Sequence, residues 1–256
     1  MDKALNIDEL KLETKPIQGF PAGTRVHTDK GLVPIQEIKV GDMVRSKPES
    51  ADGELCYKPV VRTVSYENKE IWDLWYFEIN ANTDISKLHK GKLLQLSRKG
   101  KLSGIIATPN HPFWVKGLGW TRLDQLEQGQ IIETDNPETV ALVLMVNPLR
   151  KTTLPNVAGS YHVRNILDAD RKGFDIDNVE YFDLLEYDKT GLCEILGSDA
   201  PSPFIVNNQE VHVLTEVFSQ KVYNFEVGDF HTYFVAKRGL WVHNTNCADA
   251  SPNLLP

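Results

Sequence analysis

Two polar side chains, His243 and Asn244, stand side by side near the end of the chain, with only residues 245–256 after them. An asparagine carboxamide can attack its own main-chain carbonyl carbon. That attack closes a five-membered succinimide and breaks the next peptide bond, here the one between Asn244 and Thr245. Both reacting groups belong to one residue, so no external nucleophile has to be bound. The imidazole of His243 could polarise the carbonyl or protonate the leaving nitrogen. The pair therefore allows self-cleavage, although a polar turn after a strand has the same sequence.

Two more histidines lie in segments that could serve the same chemistry. The chain reads GFPAGTRV from Gly19, ATPNHPFWV from Ala107 and VYNFEVGDFHTYFV from Val222. Histidine gives and takes protons near neutral pH, which makes His111 and His231 candidates for proton transfer beside His243. Each also has a purely structural interpretation, for His111 a rigid turn between two prolines and for His231 a packed strand position.

These segments, in this order, resemble the hedgehog/intein (Hint) superfamily, and most closely the pretoxin Hint domains of bacterial polymorphic toxins. The resemblance covers Gly19 to Asn244 apart from an insertion. It implies an all-β, horseshoe-like fold with pseudo-two-fold symmetry, in which both ends of the domain meet at the active site. It also implies single-turnover autoproteolysis. The cut would release a toxin module encoded downstream of the domain, while a carrier precedes the domain.

The resemblance gives a role to each residue that matches a family motif. Thr108 would orient the peptide at the N-terminal junction, and His111 would bond to its amide nitrogen and protonate it. His231 would take a proton from the asparagine amide as general base. His243 would protonate the departing nitrogen or polarise the carbonyl, and Asn244 would cyclise.

Two other residues are possible supporting groups. Asn224 stands where inteins usually have an aspartate that couples the two junction reactions. A neutral amide cannot act as a base, which predicts weakened coupling. Asp229 could orient an imidazole, although an exposed turn aspartate is the commoner case.

The junction positions are Gly19 and Thr245. The family normally begins with Cys or Ser, the nucleophile that attacks the preceding carbonyl. Glycine has no heteroatom, so no acyl shift can occur at the bond between Gln18 and Gly19, and splicing is excluded. The hydroxyl of Thr245 then has no ester to receive. A cysteine at Gly19 is expected to restore a thiol-dependent cut.

Composition excludes several other classes of protein. The chain has 256 residues, a formal net charge of -7 and a pI near 5.5, without a basic stripe, so a nucleic-acid partner is not expected. No apolar run is long enough to cross a bilayer, and residues 1–15 lack the apolar core of a signal peptide. The expected location is the bacterial cytoplasm, or export as part of a larger toxin. A monomer is expected.

No cofactor or metal is expected either. Cys56, Cys193 and Cys247 are an odd, widely spaced set, and motifs for zinc or phosphate binding are absent from the sequence. The segment from Asp168 to Gly173 resembles the start of a calcium loop. It fails because Lys172 occupies a ligand position and the twelfth position is Val179.

Short runs of β-type residues between turns predict an all-β domain with tight turns. We expect a flanking segment at 1–18, a Hint domain at 19–244 with an α/β or irregular insertion at about 148–208, and the start of a toxin-side segment at 245–256. Alternating runs at 211–217, 222–227, 232–235 and 240–242 should pair with the sheet system of the N-terminal half. Short helical stretches are predicted at 8–13 and 123–128, and a short β run at 93–96.

Three hypotheses follow from these observations. The chain is a self-cleaving domain that cuts after Asn244, or a catalytically silent Hint scaffold that links a toxin to its carrier. The third is a metal-dependent hydrolase built from His111, His231 and His243, which has no carboxylate or cysteine ligand at suitable spacing.

Overall fold

The computed structural model describes residues 17–88, 92, 95, 96, 98–162, 178–199 and 202–244. Strands dominate this part of the chain, which confirms the all-β prediction. In chain order they are β1 (Phe20–Pro21), β2 (Arg25–Thr28), β3 (Gly31–Pro34), β4 (Met43–Ser46), β5 (Cys56–Glu70), β6 (Trp72–Asn80), β7 (Leu102–Ala107), β8 (Pro112–Val115), β9 (Gly119–Arg122), β10 (Ile131–Glu133), β11 (Thr139–Pro148), β12 (Arg150–Thr152), β13 (Val157–His162), β14 (Asn178–Asp183), β15 (Ile195–Ser198), β16 (Ile205–Val206), β17 (Gln209–Glu210), β18 (Val213–Val217), β19 (Ser219–Val227), β20 (Thr232–Val235) and β21 (Leu240–His243).

Helical elements in the described residues are short. An α-helix, the insertion helix, spans Leu184–Thr190, and single 3-10 turns span Ile35–Glu37, Ile85–Lys87 and Leu123–Gln125. The insertion helix begins where the Asp183 carboxylate accepts hydrogen bonds from the amides of Leu185 and Glu186, at 2.9 and 3.2 Å. It ends at Gly191, whose φ of 69° is the left-handed conformation that glycine adopts without strain.

One sheet of 14 strands carries the candidate site. Its order is β1-β19-β5-β4-β2-β20-β21-β8-β10-β11-β6-β7, with β3 beside β2 and β9 beside β8, and its pairs are antiparallel. The order places the first strand, β1, on the C-terminal strand β19, with Phe20 opposite Tyr223. The first and the last described strands, β1 and β21, therefore belong to the same sheet, as the sequence predicted.

The main core lies against this sheet. Its fully buried side chains come from both halves of the chain and include Phe20, Val26, Leu74, Phe113, Tyr233, Leu240 and Val242. Burial of a large apolar side chain contributes about 1.5–3 kcal/mol. Because β20 and β21 are buried on both faces, the residues at their ends are held rigidly.

A second sheet, of five strands, forms the inserted unit, with order β15-β14-β13-β12-β18. It begins at Arg150 and ends at Val217, which lie opposite each other in the β12 and β18 pair. Strands predominate among the described residues of this unit, and its sheet includes β18, which lies after residue 208. The run at 211–217 was assigned to the main sheet, and that prediction is wrong, because alternation marks a strand without naming its partner.

The inserted unit packs on the first motif. The hydroxyl of Tyr187, in the insertion helix, lies 3.0 Å from Thr24 Oγ1 and accepts a hydrogen bond of 3.2 Å from the amide of Ile106. Gly23 has φ of 82°, and a Cβ there would lie 2.0 Å from the Tyr187 carbonyl oxygen. Only glycine therefore lets the first motif pack this closely against the insertion helix. The guanidinium of Arg25 donates to the last carbonyls of the helix, those of Lys189 and Thr190. The insertion helix thus stabilises the start of β2, a few residues after Gly19.

Some local predictions are corrected by the structure. The predicted β run at 93–96 is wrong for its described residues, since Gln95 and Leu96 are helical. The helix predicted at 123–128 is a single 3-10 turn, Leu123–Gln125. The segments at 8–13 and 168–173 lie outside the described residues, as does Thr245. Within the described ranges, no helix combines the length and the apolar character needed to span a membrane.

Candidate functional site

The peptide between Gln18 and Gly19 is held at both of its polar atoms. The Gly19 amide donates to Thr108 Oγ1 at 3.1 Å, and the Gln18 carbonyl accepts a hydrogen bond of 3.3 Å from Asn224 Nδ2. The Thr108 amide in turn donates to the Gly19 carbonyl at 3.0 Å, and Gln18 Nε2 donates to the Asn110 carbonyl at 3.3 Å. The segment that begins at Ala107 therefore binds the N-terminal junction directly.

Asn224 connects this junction to the second one. Its Oδ1 accepts two hydrogen bonds of 2.8 Å, from the hydroxyl of Tyr233 and the amide of Phe225. These donors fix the orientation of the carboxamide, so that Nδ2 faces the Gln18 carbonyl and also Asn244 Oδ1, which lies 3.5 Å away. Asn224 was predicted as a supporting residue. The structure places it in contact with both junctions.

Asn244 is buried, with 2% of its surface exposed. Its side-chain Nδ2 donates to the Phe225 carbonyl, its Oδ1 faces Asn224, and its main-chain amide donates to the His231 carbonyl at 2.8 Å. The carboxamide is thus held inside the protein, where little bulk water reaches it. That placement favours an intramolecular attack over hydrolysis by solvent.

His243 lies beside the junction in an aromatic setting. Its ring packs against Trp120 with centroids 4.9 Å apart, and Trp120 also contacts Trp114 and Trp241. Its Nε2 lies 2.7 Å from Glu49 Oε2, and its Nδ1 is buried without a hydrogen-bond partner among the described residues. Burial lowers the pKa of His243, and the Glu49 carboxylate opposes that effect.

His111 is enclosed among apolar rings. It is fully buried, its ring centroid lies 4.1 Å from that of Phe20, and neither ring nitrogen has a hydrogen-bond partner within the described chain. Burial, and to a smaller extent His243, lowers the pKa of His111 to about 3. The ring is therefore neutral at neutral pH. The structure gives Thr108, and not His111, the hydrogen bond to the Gly19 amide that the resemblance implied for the histidine.

His231 occupies the turn before β20 with a left-handed backbone, φ 54°. It contacts Asn244 through its main-chain carbonyl, and its charge influences the pKa of His243. Asp229, two residues earlier, is exposed and pairs with Lys58 at 2.8 Å, which lowers the pKa of its carboxyl. The His231 imidazole also contributes to lowering that pKa, and the suggestion that Asp229 orients an imidazole stays a prediction.

Gly19 fits tightly between strands. A Cβ at this position would lie 2.9 Å from the Tyr223 carbonyl oxygen and 3.0 Å from Val222 Cγ2, closer than ordinary packing allows. The β1 and β19 pair therefore has no space for a side chain here. The expectation that a cysteine would restore the N-terminal cut is revised, because a cysteine requires the two strands to shift apart.

We expect Gly19→Ala to destabilise the folded protein by about 1–3 kcal/mol, the usual effect of overpacking. Gly19→Cys should do the same and give no thiol-dependent product. Thermal unfolding measures the first effect and intact mass after thiol treatment the second. Gly228→Ala is the control, since its nearest contact would be an ordinary 3.4 Å. Equal stability of Gly19→Ala and wild type would contradict the packing.

Two contacts of the site were not found from the sequence. Glu49 lies in the loop between β4 and β5, far from every motif, and the loop carries no signal for its pairing with His243. Tyr233 is part of a motif segment, but its spacing could not show that its hydroxyl reaches Asn224. Among the residues that the structure describes, no group of three or more His, Cys, Asp or Glu side chains could hold a metal ion.

Comparisons with known proteins find structural likeness without a sequence match. No protein-family model and no curated protein matches the chain. It is similar to a bacterial intein-like domain from Clostridium thermocellum (TM-score 0.48, 22% identity), covering 90% of this chain and 100% of that one. It is also similar to the gp41-1 intein (TM-score 0.43, 12% identity, 90% and 100% covered). A DnaB intein from Synechocystis sp. PCC 6803 gives a TM-score of 0.43 and 13% identity, with 90% and 99% covered. At these TM-scores the likeness carries no functional inference, and the function below is inferred from the contacts of the site.

Proposed function

We propose that this chain is a Hint-type autoprocessing domain that breaks its own backbone after Asn244 by asparagine cyclisation. One observation supports this most strongly: the side chain of Asn224 contacts the carbonyl of Gln18 and the carboxamide of Asn244. Gln18 and Asn244 are 226 positions apart in the sequence, and both contact the buried side chain of Asn224. A passive linker has no need to bury its two ends against each other.

The reaction needs one bond to form and one to break. Asn244 Nδ2 attacks the main-chain carbonyl carbon of Asn244, and the bond from that carbon to the Thr245 nitrogen breaks. The Phe225 carbonyl already accepts a hydrogen bond from the attacking Nδ2, which raises the electron density on that nitrogen. His231 takes the proton that Nδ2 loses, and His243 supplies one to the leaving nitrogen. The products are a C-terminal aminosuccinimide and a new amine at Thr245.

The N-terminal junction remains intact in this scheme. Thr108 and Asn224 hold the peptide between Gln18 and Gly19, but Gly19 offers no nucleophile. The site therefore binds two junctions and cuts one. Single cleavage releases the segment after Asn244, while residues up to Asn244 stay with whatever precedes them.

The released segment and the carrier are proposed from the motif resemblance alone. We propose that Thr245 begins a toxin module or a linker to one, and that a carrier precedes Gly19. The domain acts as a monomer in the bacterial cytoplasm or as part of an exported toxin, without nucleic acid, membrane, metal or cofactor. The catalytically silent scaffold stays the second candidate, because the N-terminal nucleophile is missing.

Incubation of the purified chain separates these two candidates. Intact mass spectrometry over several days should show loss of residues 245–256 from the wild type. A chain of unchanged mass at every pH from mildly acidic to neutral would overturn self-cleavage and leave the scaffold. Cleavage in the presence of a chelator should proceed at the same rate.

Asn224→Asp should slow the cut by about tenfold at neutral pH, on the order of one hydrogen bond. An ionised carboxylate would face two oxygens, those of Gln18 and Asn244, where the amide now donates. Burial raises the pKa of a carboxyl, so activity should recover as the pH falls and the group can donate again. Asn224→Ala is the control, and it should be slow without any acid recovery. Equal rates for Asn224→Asp and wild type at neutral pH would contradict the role of the amide.

A further inference from the structure

Glu49 reaches the candidate site from outside every motif. It lies in the loop between β4 and β5, and its Oε2 is 2.7 Å from Nε2 of His243. Its main-chain carbonyl accepts a hydrogen bond of 3.1 Å from Trp120 Nε1. The Trp120 ring packs against the His243 ring in an edge-on arrangement, with centroids 4.9 Å apart. The loop, the indole and the imidazole therefore form one connected unit, in which the carboxylate is fixed relative to the ring.

The contact determines where the imidazole proton sits. A carboxylate only accepts hydrogen bonds, so the proton of the neutral ring lies on Nε2. Nδ1 is then unprotonated in the neutral ring. It carries a proton only when the ring is cationic, and it is buried without a hydrogen-bond partner among the described residues. Proton donation from Nδ1 at the junction therefore requires the imidazolium form.

We propose that Glu49 is a positioning residue, which holds His243 with a proton on Nε2 and stabilises its cationic form during cleavage after Asn244. This inference rests on the proposed function. A carboxylate in contact favours the cation and a neutral amide does not. The hydrogen bonds described for Glu49 join it to His243 and Trp120, so it acts on the reaction through His243.

Glu49 favours the cationic form of His243. The other titratable groups around His243 either disfavour that form or leave it unchanged. His231 disfavours the cation, and the His111 ring is neutral near pH 7. The Lys47 ammonium lies 4.8 Å from the Trp241 ring centroid and pairs with Glu133 at 2.6 Å. Burial also disfavours the cation, so the pKa of His243 is lowered in total. Cleavage should consequently slow as the pH rises above a value below 6.5, the ordinary pKa of histidine.

Glu49→Gln is the test, because it keeps the shape and an acceptor but removes the charge. The falling limb of the cleavage rate should move to lower pH by about one unit, which lowers the rate about tenfold at pH 7. At a pH below both limbs the two proteins should cleave at similar rates. A merely structural role would lower the rate at every pH. Asp52→Asn, in the same loop, removes one carboxylate away from His243 and should leave the profile unchanged.

A second measurement keeps this inference separate from the proposed function. In the uncleavable Asn244→Ala chain, NMR titration should show His243 protonated on Nε2 when neutral, with a lower pKa in the Glu49→Gln variant. If the wild type never cleaves, self-cleavage fails and this titration still decides the role of Glu49. An unchanged pKa and an Nδ1-protonated neutral ring would overturn the inference.

Discussion

Asn244→Ala should leave the chain uncut under conditions in which the wild type loses residues 245–256. Alanine has no carboxamide, so the succinimide cannot form. The expected effect is complete loss of the product in intact mass spectra over the same incubation. The fold should survive, because the lost contacts to Phe225 and Asn224 are about two hydrogen bonds, each worth about 1 kcal/mol.

Asn246→Ala provides the matched control for that substitution. It removes a carboxamide two positions further along the chain, and cleavage should continue at the parental rate. A product ending at Asn246 in the wild type, or a normal product from Asn244→Ala, would contradict the assignment of Asn244. Circular dichroism of both variants verifies that the sheet is retained.

His243→Gln should slow cleavage by about a hundredfold or more, the usual loss when a general acid is removed. Glutamine has nearly the length of histidine and can hydrogen-bond to Glu49, but it cannot carry a proton to the leaving nitrogen. The rate is measured by following the intact and cleaved masses with time. The substitution also loses the edge-on ring contact with Trp120, which contributes about 1 kcal/mol to stability, so the protein should remain folded.

His212→Gln is the control for a histidine outside the site. Its side chain is 60% exposed and lies 3.7 Å from Glu210, in the inserted unit. This variant should cleave like the wild type. Parental rates for both His243→Gln and His212→Gln would show that the imidazole next to Asn244 takes no part in the reaction.

The sequence predicted the outline of the fold from local patterns. The runs at 232–235 and 240–242 lie in β20 and β21, because short apolar runs bounded by turn residues mark strands directly. The run at 211–217 was also recognised as strand. The prediction that it pairs in the main sheet is wrong, because β18 pairs with β12 in the five-stranded sheet. The side chains of this run would alternate in the same way in either sheet. Partner choice depends on contacts distant in sequence, which a period of two does not contain.

The candidate site was predicted in part for a related reason. The motifs predicted that Gly19, Thr108 and Asn244 belong to one site. In the structure Thr108 bonds the Gly19 amide, and Asn224 bonds both the Gln18 carbonyl and Asn244. The sequence could not predict the contacts that Asn224 makes with Gln18 and Asn244, or the hydrogen bond between Glu49 and His243. These depend on side-chain orientation and on a loop without any pattern. At Gly19 the sequence shows that the residue has no nucleophilic atom. It does not show that Gly19 packs tightly against the Tyr223 carbonyl.

The mass of the product that ends at Asn244 tests the central claim most directly. Cyclisation predicts that this product first appears one water lighter than the free-acid chain 1–244, and that it then gains one water as the succinimide opens. Its partner should begin at Thr245 with a free amine. A product that appears as the free acid from the first time point, at equal rates in wild type and Asn244→Ala, would contradict cyclisation at this residue.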